Sequence, residues 1–389
     1  MRVFHIGKYY APFEGGIENF LAAFLKCSAK KNVEHFVLAH DHRLWCMSSL
    51  EALPEATLLR SATLARLLFA PISPLFYFQL SRHIKSFKPD VIHVHMPNLS
   101  AFWLLMPGAW RDCTMIIHWH ADIVPSRKNI LLALAYLFYR ILEKRLLARA
   151  AAIIATSEPY LQTSKPLHPW RDKCHVIPLG LAMENPVSTQ GEFWQIEKSF
   201  RLLCVGRLTY YKGQAFLIQA IADLPDIELI IVGTGKYQGR YQALLDNHAL
   251  NDRARLLGHA SKAELEALLS SCDCLCLPSI ERTEAFGLVL LEAMQHGKPC
   301  ICTNVEGSGM GWVVEDGRTG LVVASENTDS LRKAIASLNN NRQRAIEMGI
   351  LGKKRFHHLF DIEQVTNKTL ALYNQLQSGQ PSAANLPDD

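Results

Sequence analysis

Residues 272–299 read "CDCLCLPSIERTEAFGLVLLEAMQHGKP", and their pattern changes twice. "CDCLCLPS" alternates small thiols with leucine and predicts a buried strand. A polar loop, "IERTEAF", follows, and "GLVLLEAMQHG" predicts a short helix stopped by Gly297 and Pro299. Repeated along a chain, such strand–loop–helix units make a parallel sheet covered by helices. Two carboxylates in this unit need explaining. Glu284 falls on the loop, and Glu292 falls two turns into an otherwise apolar helix, where a carboxylate requires a partner. The residues alone leave two readings open for each. Glu292 binds a ribose diol or pairs with a nearby lysine or arginine, and Glu284 binds sugar hydroxyls or caps the helix.

The same alternation extends outward on both sides. The first half carries "RVFHIG", "EHFVLAHD", "DVIHVH", "TMIIHWH", "AAIIATS" and "CHVIPLG" between segments of helical length. After Gly180 it breaks into "LAMENPVSTQGEFWQIEKS", which has no clean period and reads as a linker. It restarts near Ser199 with "FRLLCVGRL", "IELIIVGTG", "ARLLGH", "CDCLCLPS", "PCICTNV" and "TGLVV". The expected organisation is therefore two α/β domains, 1–182 and 199–360, then a helix at about 361–376 and a tail, 377–389, of disorder-prone composition. Ligands of such sheets bind outside the carboxyl ends of the strands, here expected in a cleft between the two sheets.

With 389 residues, 49% hydrophobic and 20% charged, the chain is long enough for two cores. Its net charge of +5 suits an anionic substrate or membrane surface and argues against a dedicated nucleic-acid binder. The ten cysteines include no CxxC pair and read as small buried hydrophobes. With no signal-like opening, a cytoplasmic location with reduced thiols is expected. The longest apolar run, Ile130–Tyr139, falls short of the ~20 residues that span a bilayer.

Three post-strand segments carry further candidates. Gly15 and Gly16 precede an amphipathic helix, where glycines admit a phosphate to backbone amides or simply make a turn. Arg207 and Lys212 follow "LLCVG"; a guanidinium and an ammonium in one loop suit a diphosphate, or form a solvated basic loop. In "TMIIHWHADIV", alternation places His118 and His120 on one face, with Asp122 just beyond. Zinc is disfavoured, because His-x-His has no third ligand within this stretch.

Taken in order, "GGIENFL", "HVH", "HWHADIV", "ATS", "VIPLG", "VGRLTYYKG", "VGTG", "PSIERTEAFGLVLLEAMQHGKP" and "DGRTGLVV" resemble the retaining glycosyltransferases of family 4, the group 1 glycosyl transferases. The resemblance implies a GT-B fold: two Rossmann-like domains whose parallel sheets face an interdomain cleft, the first holding the acceptor and the second a nucleotide-sugar donor. It also implies that the last helix returns to the first domain. Arg207 and Lys212 match the pair that neutralises the donor diphosphate, Glu292 the ribose-binding glutamate, and Glu284 the glutamate facing the transferred sugar. Gly15 and Gly16 match the N-terminal glycine loop, and Phe286, Gly287 and Leu288 complete the donor-binding set. His120 fits the histidine that contacts the donor sugar, and its neighbour His118 competes for that role.

No cofactor, metal or nucleic acid is implied; the co-substrate is a nucleoside-diphosphate sugar. The narrower likeness is to bacterial enzymes moving mannose or rhamnose to a glycan or lipid-linked acceptor in lipopolysaccharide, O-antigen or exopolysaccharide synthesis. "GSGMGWV" departs from the family spelling at Met310 and Gly311, which leaves the donor open. A phosphorylase, an epimerase or a non-catalytic nucleotide-sugar binder shares the architecture. The basic apolar stretch "LLALAYLFYRILEKRLLARA", with Arg140, Lys144, Arg145 and Arg149, reads either as a dock for the inner face of an anionic membrane or as a buried helix with a solvated basic face.

Overall fold

The computed structural model describes residues 1–13, 15–67, 70–123, 130–183 and 193–379. Part of the expected linker and most of the expected tail lie outside these. The chain divides into two compact units. One is Met1–Ala182 with the chain from Ile362 onward, and the other is Met183–Asp361.

The first unit opens with β1 (Arg2–Ile6), α1 (Gly16–Ala29), β2 (Glu34–Leu44), β3 (Ser49–Ala52) and β4 (Thr57–Thr63). A small hairpin, β5 (Ala65–Leu67) and β6 (Ala70–Ile72), leads to α2 (Leu75–Phe87) and β7 (Val91–Met96). A 3-10 turn at Leu99–Leu105 precedes β8 (Thr114–Trp119); then come α3 (Ile130–Arg149), β9 (Ala152–Ala155), α4 (Glu158–Thr163) and β10 (Cys174–Val176). The strands lie in the order β10-β9-β8-β7-β1-β2-β4-β3. All pair in parallel except the edge strand β3. The strand segments singled out in the sequence all form. The sequence reading did not pick out β4, "TLLRSAT", because Arg60, Ser61 and Thr63 break its apolar run. Arg60 is nevertheless buried, paired with Glu51 at 2.9 Å and donating to the Tyr10 carbonyl at 3.4 Å.

The second unit alternates without interruption: β11 (Phe200–Val205), α5 (Gln214–Ala220), β12 (Ile227–Val232), α6 (Gln238–Asn247), β13 (Ala254–Gly258) and α7 (Lys262–Ser271). It continues with β14 (Cys274–Leu277), α8 (Leu288–Gln295), β15 (Cys300–Asn304), α9 (Met310–Val313), β16 (Gly320–Ala324), α10 (Thr328–Asn340) and α11 (Arg342–Arg355). The sheet is wholly parallel, in the order β13-β12-β11-β14-β15-β16. Strand order therefore reverses between β11 and β14, the place where doubly wound sheets open a crevice. Cys272, Cys274, Cys276, Cys300 and Cys302 are fully buried around β14 and β15, and burial pushes every one of these thiols up. They act as small core residues, as the sequence suggests.

The last helix, α12 (Ile362–Gln377), belongs to the first unit. Its buried Tyr373 hydroxyl meets His93 Nδ1, and the Gln377 amide donates to the Asp90 carbonyl at 2.7 Å.

Gly213 shapes the second unit's reversal point. Its φ of +70° is left-handed, and a Cβ there would lie 1.9 Å from the Pro278 carbonyl oxygen. Gly213→Ala combines left-handed strain with a backbone clash and is expected to cost about 2 kcal/mol or more. Urea unfolding checks this, and a change under about 0.5 kcal/mol contradicts the described packing.

Candidate functional site

In the second unit, the loops after β11 and β14 are drawn together at the reversal point. The Ile280 amide donates to the Tyr211 carbonyl at 2.7 Å, next to the Gly213–Pro278 contact. This brings the Lys212 ammonium onto Glu284 Oε2, with the two side chains only 13% and 14% exposed. Burial alone pulls the lysine's pKa down, but the charge and hydrogen bond of Glu284 outweigh it, so the ammonium titrates above its usual value. Ser279 Oγ lies 3.5 Å from the same carboxylate oxygen.

A third loop, after β15, closes over this pair from the other side. Ser308 Oγ donates to the Glu284 carbonyl at 2.5 Å, and the Gly309 amide to the Ala285 carbonyl at 2.7 Å. The sequence reading did not single out Ser308 or Gly309. Their signal was there, since they are the small residues just before the departure at Met310 and Gly311. Met310 is fully buried. The two basic residues of the first loop are separated in role: Lys212 is paired, while Arg207 is exposed and donates to the Tyr211 hydroxyl at 3.2 Å.

The rest of the "TEAFGLVLLEAM" stretch is sorted by the structure. Glu284 does not cap α8, whose N-cap is Gly287 at φ +80° with no side-chain capping bond. Gly287 is required for its conformation and for space, because a Cβ would stand 2.8 Å from Leu277 and 2.9 Å from Leu290. The Phe286 ring turns into the core, 6.4 Å from Trp312 and 6.0 Å from Phe360, so only its backbone is available to a ligand. Leu288 opens α8, and Glu292 lies part-buried on its second turn.

In the first unit, α1 starts at Gly16 behind an extended Gly15. A Cβ at Gly15 would meet Glu18 Oε2 at 2.2 Å. The buried Glu18 thus lays its carboxylate against the helix start, where the helix dipole favours a negative charge. Of the two roles open to the glycine pair, a phosphate loop or a simple turn, neither takes account of the glutamate of "GGIE".

Six buried histidines gather on one side of this unit's sheet: His5 on β1, His35 on β2, His93 and His95 on β7, His118 on β8, and His120 just past it. His118 and His120 stack at 4.1 Å and 10°, which places them on one face as alternation predicts. The expectation that His118 and His120 lack a third ligand holds only along the chain, since β7 brings His95 beside them. The ligand atoms of His95, His118 and His120 lie within 4.8 Å of one another, as do those of His5, His93 and His95. His95 engages both ring nitrogens, with His5 at 3.3 Å and His120 at 3.1 Å. Its ring is nearly parallel to those of His120 and His118, at 15° and 23°. Asp122 is structural, its Oδ1 accepting from Trp119 Nε1 and Ser164 Oγ, each at 2.8 Å.

Glu143 on α3 is buried with its Oε1 unpartnered, and burial lifts its carboxyl to about 8. The folded state thus holds a proton that the unfolded chain releases above its ordinary value of 4.5, so stability falls as pH rises from 4.5 towards 8. Glu143→Gln is expected to raise the melting temperature at pH 8 and much less at pH 5. Thermal scans at the two pH values test it, and an equal shift at both contradicts the assignment.

Two domains of this parallel, doubly wound kind have the architecture of the GT-B fold. Residues 14–185 match the family described as Glycosyltransferase Family 4, and residues 189–355 match Glycosyl transferases group 1. The chain belongs to the group 1 glycosyl transferases and is a glycosyltransferase. It is 30% identical over 373 residues to the D-rhamnosyltransferase WbpZ of Pseudomonas aeruginosa, covering 92% of each chain. It is 27% identical over 385 residues to the O-antigen chain mannosyltransferase C of Escherichia coli, covering 97% of this chain and 99% of that one. Sucrose-phosphate synthase from Thermosynechococcus elongatus shares the fold, with a TM-score of 0.80 at 21% identity over 97% of this chain and 100% of that one. So does HepE from Anabaena, solved in complex with UDP, with a TM-score of 0.71 at 16% identity over 96% of this chain and 100% of that one.

Proposed function

We propose that the second unit binds a nucleoside-diphosphate sugar at the ends of β11 and β14, and that the enzyme transfers its hexose with retention of configuration. The supporting observation is the Lys212–Glu284 pair at the strand-order reversal. It keeps a shielded ammonium where open α/β sheets receive ligands. Lys212 and the exposed Arg207 supply cations to the departing diphosphate, and the first amides of α8, at Gly287 and Leu288, add oriented dipoles. Glu284 holds Lys212 and offers its remaining lone pairs to a sugar hydroxyl. Glu292 is assigned to the ribose diol and His120 to the transferred sugar. The acceptor hydroxyl attacks the anomeric carbon on the face from which the diphosphate leaves. The new C–O bond forms as the C–O–P link breaks, and the leaving phosphate takes the proton. Basic side chains then fill the role a divalent cation plays elsewhere, so catalysis is proposed to need no metal.

The relatives' names point to mannose or rhamnose as the sugar and to an O-antigen or related surface polysaccharide as the product. At saturating donor, Arg207→Ala and Lys212→Ala are each expected to slow transfer at least a hundredfold, in line with the ~2.7–4 kcal/mol lost when one charge-stabilising donor is deleted. Near wild-type turnover in both variants, with melting temperatures confirming that they fold, rejects the donor site. Donor binding without turnover by the wild-type enzyme, over a range of glycan acceptors, instead favours a non-catalytic binder.

We further propose that the first unit works against the cytoplasmic face of an anionic membrane, where a lipid-linked acceptor would lie. Leu137, Phe138 and Ile141 are exposed on α3 beside exposed Arg140, Lys144 and Arg145. The 3-10 turn against which α2 and α3 pack adds exposed Trp103 at its side and Met106 at its end. Apolar side chains flanked by cations suit the boundary of an anionic bilayer. No helix among the described residues is long and apolar enough to cross one. Flotation with anionic vesicles should carry the protein, and the Arg140→Glu/Lys144→Glu double variant should stay behind. Salt-independent flotation of both rejects the electrostatic part.

A further inference from the structure

Four of the buried histidines form one continuous hydrogen-bonded chain, and its direction can be deduced. Ser28 Oγ lies 2.7 Å from the Phe24 carbonyl oxygen. A carbonyl only accepts, so the serine's single proton is committed there. Ser28 Oγ is also 2.7 Å from His35 Nε2, and in that contact it accepts. His35 therefore carries its proton on Nε2. Burial holds all four rings well below the usual histidine range, to about 4 for His35 and about 3 for His95, so each is neutral and has one N–H. With its Nε2 protonated, His35 has a bare Nδ1, which accepts from His5 Nε2 at 3.1 Å. His5 Nδ1 then accepts from His95 Nε2 at 3.3 Å, and His95 Nδ1 from His120 Nε2 at 3.1 Å. The sequence of tautomers ends at His120 Nδ1, which is buried and has no protein partner.

We propose that Ser28, acting through His35, His5 and His95, fixes His120 as the Nε2–H tautomer, so that its bare Nδ1 accepts a hydrogen bond from a hydroxyl of the bound sugar. The claim about the sugar rests on the assignment of His120 made above; the claim about the tautomer does not. Ser28, His35, His5 and His95 are positioning residues. They decide which substrate group His120 can recognise, a donor O–H and not an acceptor oxygen. A reversed chain would end in an N–H and select the opposite.

Spectra of the ligand-free protein with isotopically labelled histidine nitrogens distinguish protonated from bare ring positions. All four rings are expected as Nε2–H. Ser28→Ala removes the anchor and should shift His120, four links away, towards the Nδ1–H form, and Ser28→Thr, which keeps the hydroxyl, should restore it. An Nδ1–H His120 in the wild type overturns the proposal even if the alanine variant fails to fold. An unchanged His120 in a folded Ser28→Ala protein overturns it too, as does zinc retained through EDTA dialysis with His95 as a ligand. Calorimetry with GDP-mannose and UDP-glucose, each set against GDP and UDP, reads the consequence. Ser28→Ala should weaken the bound nucleotide sugar about tenfold and leave its nucleotide unchanged. Equal loss for both ligands overturns the positioning role. A shifted tautomer with undiminished sugar affinity supports the chain and rejects the placement of His120 on the sugar.

Discussion

Lys212 and Glu284 neutralise one another across 72 residues of sequence, and much of the second unit serves to make that meeting possible. Their loops are neighbours only because β11 and β14 pair where the sheet order reverses. Glycine at 213 lets one loop touch the backbone of the other, and the Ser308–Gly309 loop closes from β15. Two charges so far from water need each other, since either one alone would carry a desolvation penalty of several kcal/mol. The pair also suits the donor role proposed for it. In that role, a phosphate reaching Lys212 would find an ammonium already positioned and charged, with little left to reorganise.

The first unit meets a different constraint. A sheet face that would ordinarily be valine and isoleucine is filled here by imidazoles, each neutralised by burial and stacked on its neighbours. Hydrogen bonds join one row of them, Ser28 to His120, and Tyr373 partners His93. His118, both of whose buried ring nitrogens lack hydrogen-bond partners, is stacked between His93 and His120. That separates it from its neighbour two residues on, a distinction that alternation along one strand cannot make.

The fold was legible because fully buried parallel strands are short apolar runs, and helices of regular length lie between them. Among the parallel strands the exception was β4, where buried Arg60 satisfies itself on backbone carbonyls and Glu51, a compensation with no signature in the local pattern. At the site, residue types and their position after strands could be read, while pairings could not. Sequence placed Lys212, Glu284 and His120 in post-strand loops. It could not say that the first two hold each other, that His95 lies beside the third, or that Glu18 covers the glycine pair. Each of those depends on which strands are adjacent, and adjacency in a sheet whose order reverses is not a local property.

The bond between His93 and Tyr373 ties residues 280 apart within one unit. His93 is at the centre of the imidazole face, and its Nδ1 partner comes from α12, which follows the whole of the second unit in sequence. The second unit is built from one continuous stretch of chain. The first is interrupted, so a chain that stopped after Asp361 would leave His93 Nδ1 without the hydroxyl that it meets in the interior.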